Sequence, residues 1–214
     1  MRILGSSAIG AMIGLLAGCN SGVPGSGVAK TEQRTLATFS AVELQGQGRI
    51  EIELNPTPSF EITADDNLLP LIETRVDHDR LIIGNRKNIA PKTHIKIRIS
   101  TEALSKLELN GAADAVLTGM QCDNLKLTLN GAGSITAGGV VGDLNAAING
   151  SGDLHLDQLR ARTATAVIAG TGTIDMGQVD ELNATVAGVG DIRYRGEPRL
   201  TRKTIAGVGS ISKK

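Results

Sequence analysis

The chain has 214 residues, with 22 basic and 22 acidic side chains and a formal net charge of zero. A nucleic-acid binder would carry a basic excess, so that class of partner is excluded. Two Phe, one Tyr and no Trp stand beside 27 Gly; so few rings cannot fill a core of ordinary thickness, and the expected core is only a few aliphatic side chains wide.

Residues 1–18 read as an export leader. Arg2 gives a positive start, and 3–16 is apolar apart from Gly and Ser. That stretch is short for a bilayer span and has the make-up of a secretory h-region. It ends in Leu16-Ala17-Gly18-Cys19, which resembles the bacterial lipobox; the alternative is an ordinary secretory signal in which Cys19 is incidental. The resemblance implies cleavage before Cys19, a diacylglycerol group on its thiol and a further acyl chain such as palmitate. Two or more acyl chains anchor stably where one is marginal. Asn20, rather than Asp, follows the lipidated position. By analogy with enterobacterial sorting, that sends the protein of a Gram-negative host to the outer membrane.

The mature chain would hold 196 residues, enough for one domain or two small ones. Residues 19–34 are rich in Gly, Ser and other small or polar residues and are expected to form a flexible tether. With Cys19 acylated, Cys122 has no disulfide partner and reads as a small buried hydrophobe rather than a reactive thiol.

Residues 35–104 are expected to form an N-terminal β segment. Alternating runs at 50–54, 60–63, 80–83 and 94–99 predict strands, paired antiparallel or as β-helix-like coils, with 65–71 as a loop or short helix. The segment would cap the first coil, as the ends of solenoids require.

Residues 105–214 carry an internal repeat. The segments 109–115 (LNGAADA), 129–135 (LNGAGSI), 148–154 (INGSGDL), 168–174 (IAGTGTI), 186–192 (VAGVGDI) and 205–211 (IAGVGSI) align, and 44–50 (LQGQGRI) is a more distant seventh copy. Gly111, Gly131, Gly150, Gly170, Gly188 and Gly207 lead the six, at spacings of 20, 19, 20, 18 and 19 residues. Gly133, Gly152, Gly172, Gly190 and Gly209 follow two residues later in five of them. Each unit predicts a strand, a glycine corner that needs positive φ or close backbone approach, and a second strand. One unit of about 20 residues suits one turn of a parallel β-helix.

Two columns support one repeat per coil. Asn110, Asn130 and Asn149 precede the first three leading glycines, and Ala169, Ala187 and Ala206 the last three; stacked Asn side chains can form a ladder. The column after the corner runs Asp114, Ser134, Asp153, Thr173, Asp191, Ser210. Coils lie ~4.8 Å apart, so this alternation keeps like charges from standing directly opposed.

The chain resembles the head GIN domain family, described as autotransporter adhesins, over roughly 39–211. The resemblance rests on 39–44 (FSAVEL), on 66–72 (DNLLPLI) and on the recurring Asn-Gly-x-Gly and Ala-Gly-x-Gly units. It implies an all-β, β-helical fold in which 35–214 form one domain, a lipoprotein or secretory signal, and adhesion. It supplies no catalytic residues and no cofactor. Gly111-Ala112-Ala113 departs from the pattern by lacking the second glycine.

Other chemistry is poorly matched. Phosphate-binding glycine loops open a helix, whereas short strands follow every copy here. Calcium β-rolls repeat every nine residues, not every nineteen. His78, His94 and His155 show no metal-ligand spacing, and no nucleophile elbow is present. Polysaccharide-cleaving β-helices are the enzymatic rival, but only Tyr194 and the two Phe could stack on sugar rings, and cleft-building insertions are missing. The expectation is a non-catalytic, membrane-tethered envelope protein for adhesion or assembly, with a protein or glycan surface partner; a polysaccharide-binding or polysaccharide-cleaving β-helix is the alternative. No capping element follows 210–214 (SISKK), so self-association through the open solenoid end is a further expectation, with Lys213 and Lys214 as edge charges that discourage it.

Overall fold

The structure, a computed structural model, describes residues 22–214; the leader and Cys19 lie outside the described residues. The strands are β1 (Val23–Pro24), β2 (Ala29–Gln33), β3 (Ala41–Leu44), β4 (Gln47–Leu54), β5 (Ser59–Asp65), β6 (Ile72–Asp77), β7 (Arg80–Asn85), β8 (Ile89–Ala90), β9 (Lys96–Thr101), β10 (Lys106–Leu109), β11 (Ala112–Leu129), β12 (Ala132–Ile148), β13 (Ser151–Ile168), β14 (Thr171–Val186), β15 (Val189–Arg195), β16 (Leu200–Ile205) and β17 (Val208–Lys213). A single 3-10 turn, Leu69–Leu71, interrupts them.

From β10 onward the chain winds in parallel coils, each hydrogen-bonded to the next. Ala112 lies beside Ala132, Ala132 beside Ser151, Ser151 beside Thr171, Thr171 beside Val189 and Val189 beside Val208. One repeat is therefore one coil, and the fold is the all-β solenoid that the 19-residue period predicts. The seventh copy takes its place beneath the six: β3 pairs with β10 and β4 with β11. Coils thus begin before residue 105, because β7 and β9 also stack in parallel on β3 and β4. Only the outermost layer turns antiparallel, with β6 on β7, β5 on β9 and β2 on β5.

Period-two alternation builds the core. Leu125, Leu127 and Leu129 point inward on β11, stacked against Leu144, Ala146 and Ile148 on β12 and then Ala164, Ala166 and Ile168 on β13. Each fully buried Leu or Ile is worth about 1.5–3 kcal/mol. The scarce rings are used for filling: Phe60 is buried in the cap and Tyr194 is 6% exposed.

One expectation is corrected. The tether expected over 19–34 is folded from Gly22 onward: β1 pairs with β8, and β2 pairs with β5. The glycines there serve close packing rather than flexibility, since a Cβ on Gly25 would stand 2.3 Å from the Asp65 carboxylate and one on Gly22 2.6 Å from Asn88. At the uppermost coil, polar side chains stand over the core columns while Ile205 and Val208 remain exposed. In register, Thr201 sits over Leu182 and Lys203 over Ala184, while Lys213 sits over Tyr194. Polar residues thus occupy columns that are aliphatic or aromatic below. The Lys203 ammonium lies 4.9 Å from the Tyr194 ring centroid and donates to the Ile211 carbonyl. Inward-pointing charge of this kind blunts a sheet edge.

Candidate functional site

The corners show why glycine recurs. The leading glycines stack, and the carbonyl of each accepts the N–H of the residue after the next, as Gly150 does from Thr171 at 2.9 Å. That carbonyl fills the space a side chain would need. A Cβ on Gly111, Gly131, Gly150, Gly170, Gly188 or Gly207 would stand 1.7–1.9 Å from the oxygen below. Gly133, Gly152, Gly172, Gly190 and Gly209 face the same obstruction at 1.7–2.0 Å and also hold φ between +135° and +154°. Gly48 keeps φ at +135° in the seventh copy. Ala113 takes this place without positive φ, since His78 is the one non-glycine residue with positive φ among the described residues. The backbone is locally different where the second glycine is missing.

Beside the corners run two ladders. Asn130 donates to Asn110 at 2.6 Å and Asn149 to Asn130 at 2.8 Å, while Asn110 is held from below by Glu43 at 3.0 Å. The acidic column alternates in the expected register, Asp114 under Ser134 and Asp153 under Thr173, with Asp191 under Ser210. Each carboxylate accepts the backbone N–H of the coil above at 2.9 Å. Hydrogen bonding to Ser210 holds the Asp191 carboxyl below its usual pKa, against a smaller upward push from burial. These ladders line the corners with short polar side chains.

The remaining sequence candidates lie apart. His78 is at the exposed β6–β7 turn, hydrogen-bonded to Asp77, His94 lies in the loop before β9, and His155 is on the outer face of β13. Cys122 is half-buried, and burial, then the neighbouring Asp123 charge, pushes its thiol pKa up. Tyr194, considered above as a sugar platform, is core. Among the described residues no group of three or more His, Cys, Asp or Glu is gathered as for a metal ion.

A cleft of about 530 Å³ opens where loop 91–95 stands over the corner between β4 and β11. It is lined by Gln47, Gly48, Arg49, Lys92, Thr93, His94, Lys96, Ala112 and Asp114, among others. The loop is fixed from behind by Asp65, a fully buried carboxylate. Asp65 accepts from the N–H groups of Gly27, Lys92 and Thr93 at 2.6, 3.0 and 3.1 Å and from the Thr93 hydroxyl at 3.0 Å. Burial alone would raise its pKa, but these hydrogen bonds outweigh it and the carboxyl titrates below its ordinary range. At the cleft floor, the N–H of Arg49 donates to the Ile95 carbonyl at 2.9 Å.

The charge at the cleft is arranged around Glu51. It meets Arg49 at 3.1 Å, Lys96 at 3.3 Å and Arg98 at 3.4 Å. Burial pushes the Glu51 pKa up, but Lys96, Arg49 and Arg98 together bring it below the usual value. Sequence reading missed this cleft because residues 47–51 and 92–98 meet only through the pairing of β4 with β9. No spacing within either segment announces it.

A solenoid of stacked parallel coils closed by an antiparallel layer defines the structural class. Residues 38–198 match the family described as "Putative auto-transporter adhesin, head GIN domain", and the chain belongs to that family. No curated protein matches. Among solved structures, a "putative adhesin" of Bacteroides fragilis has 22% identity and a TM-score of 0.76, over 90% of this chain and 100% of that one. A "putative lipid binding protein" of Parabacteroides distasonis has 22% identity and a TM-score of 0.58, over 90% and 99% of the two chains. A "putative adhesin" of Parabacteroides merdae has 21% identity and a TM-score of 0.59, over 90% and 98%. Likeness at these identities establishes the fold.

Proposed function

We propose that this chain is a lipid-anchored cell-envelope protein, acylated at Cys19, that acts by binding rather than catalysis. Its role is adhesion or envelope assembly, at the outer membrane where the host has one. The observation that carries the reading is the regular stack of seven glycine corners, braced by the Asn and Asp ladders. Rigid stacked repeats suit extended contact with a polymer or protein partner. The family description and the two solved adhesin-like folds support it in kind, and Leu16-Ala17-Gly18-Cys19 supports the anchor.

The lysines at the uppermost coil disfavour end-to-end stacking, so the module works as a single copy; sedimentation that shifts to larger species at high concentration would count against this. Polysaccharide binding is the second reading, favoured by the cleft at Arg49 and Lys96. Cleavage has less support, because Tyr194, the ring nearest to being a sugar platform, lies buried beneath Lys203.

The test uses the full-length chain. Palmitate labelling and membrane fractionation are run on wild type and Cys19→Ala. The detergent-solubilised protein is then screened against envelope extracts, matrix proteins and glycans. Labelling lost in Cys19→Ala, with saturable binding that weakens when an outer face is recharged, supports the reading. Equal labelling of both forms would remove the anchor. Turnover of any polysaccharide would replace binding with catalysis.

A further inference from the structure

We propose that the cleft at the β4 corner binds a carboxylated sugar. Arg49, Lys92 and Lys96 hold its carboxylate, while Asp114 and Thr93 take its hydroxyls. This deepens the binding reading above and does not depend on the lipid anchor.

The outer column changes character at the cleft. Along the outer column of the coils, every Asp is separated from the next by Ser or Thr. One step below Asp114 that alternation fails, since Arg49 pairs directly with Lys96. Like charges opposed on neighbouring strands are destabilising, and Glu51 neutralises only part of the pair. Two cations therefore meet one step below Asp114 and concentrate positive charge at the cleft.

A guanidinium carries five N–H groups. Arg49 commits its Nε to Glu51, and among the described residues its terminal nitrogens have no protein partner. The Lys92 ammonium likewise has no carboxylate partner among the described residues, although its backbone N–H is fixed by Asp65. A planar fork beside an ammonium is the arrangement that recognises carboxylate oxygens.

The loop carrying Lys92 and Thr93 is tied down by three hydrogen bonds to a buried carboxylate, so the site is formed before a ligand arrives, and preorganisation reduces the ordering cost of binding. Gly48 and Ala112 put only small residues at the floor, where Gly48 is backed by the carbonyl and side chain of Ile95. A volume of about 530 Å³ falls within the range of small-molecule sites.

The local charge selects among anions. Asp114 on the rim and Glu51 behind the cations would repel a dianionic phosphate more than a monoanionic carboxylate. Asp114 Oδ1 is already engaged by Ser134, which leaves Oδ2 to accept a hydroxyl. The lining is mixed, with Pro91, Ala112 and Ile95 giving apolar surface beside the charged groups. A polyhydroxylated monoanion fits this combination.

The full-length chain in detergent micelles is titrated with glucuronate, glucose and inorganic phosphate, followed by calorimetry. Saturable glucuronate binding is expected, with glucose and phosphate each weaker. Arg49→Gln combined with Lys92→Gln should lower glucuronate affinity about tenfold, a loss of ~1.4 kcal/mol. Lys126→Gln, on another face, should leave it unchanged, and thermal melts confirm that each variant folds. Equal affinity for glucose, tighter binding of phosphate, or no effect of the double variant would each overturn the proposal. If glucuronate fails to bind while an envelope polymer still does, the cleft assignment falls and the binding reading survives.

Discussion

Residues 106–214, with the coil of the seventh copy beneath them, repeat one set of contacts from coil to coil, whereas the rest of residues 22–105 is held by contacts that occur once. In the repeat, the corner carbonyls, the Asn ladder and the Asp-to-N–H bonds recur at each level where the sequence permits. In the cap, one buried carboxylate joins segments 25–28 and 91–95, and Arg34 spans from Glu32 to the Ile72 and Leu69 carbonyls. A repeat array spreads its stability over nearest-neighbour interfaces; a cap concentrates it in a few groups. Damage should therefore differ in kind. A corner substitution breaks an interface between coils whichever coil it strikes, while a cap substitution matters only at particular residues.

The largest effect should come from the corners. Gly172 holds φ at +153° and a Cβ there would stand 1.7 Å from the Gly152 carbonyl oxygen. Gly119 has φ of +69°, but its Cβ would meet nothing closer than the Leu54 carbonyl at 3.8 Å. Gly172→Ala should thus lose more than about 4 kcal/mol, the range reserved for severe core damage. Gly119→Ala should lose only ~1–2 kcal/mol, the strain of a left-handed alanine. Urea unfolding of the two variants makes the comparison. Equal losses would mean that conformational strain, not the stacked carbonyls, dictates glycine at the corners.

This pair also marks what was legible. The repeat could be seen because glycine, Asn and Asp recur at a fixed period, so columns can be aligned without coordinates. The same column reading, carried to Lys203 opposite Ala184, contains the polar plug of the uppermost coil, although only the register shows that the lysine lies inward. The cap hid two things. Gly22 and Gly25 looked like tether residues, since a glycine required by close packing and one that is merely flexible are identical in sequence. The cleft joins Arg49 to Lys92 and Lys96 across more than forty residues, through strands with no shared motif.

A second test targets the concentrated stability of the cap. The folded pKa of Asp65 lies below its unfolded value, which is ~3.9 for an ordinary aspartate. Its contribution is therefore fully present above that pH and is lost as pH falls through the folded pKa. Asp65→Asn should be less stable than wild type at neutral pH and should lose less between pH 5 and the acid limit, because the titrating group is gone. Thermal melts across pH, with hydrogen exchange at residues 91–95, check this. Parallel pH curves for the two proteins would show that Asp65 is not the acid-sensitive link.

The smallest effect should fall on the Asn ladder, where repetition makes each member expendable. Asn130 donates to Asn110 and Glu108 and accepts from Asn149. All of these groups are near solvent, so after Asn130→Ala water can replace the lost partner. A neutral hydrogen bond contributes ~0.5–1.5 kcal/mol net, and the variant should lose about 1 kcal/mol. The upper coils support this low figure, since Ala169, Ala187 and Ala206 occupy the same column and their corners keep the same backbone hydrogen bonds. Ala169→Asn should extend the ladder by one step above Asn149 at little cost in stability. If Asn130→Ala instead cost as much as Gly172→Ala, the side-chain ladder would be setting the coil register, and the glycine corners would merely be accommodating it.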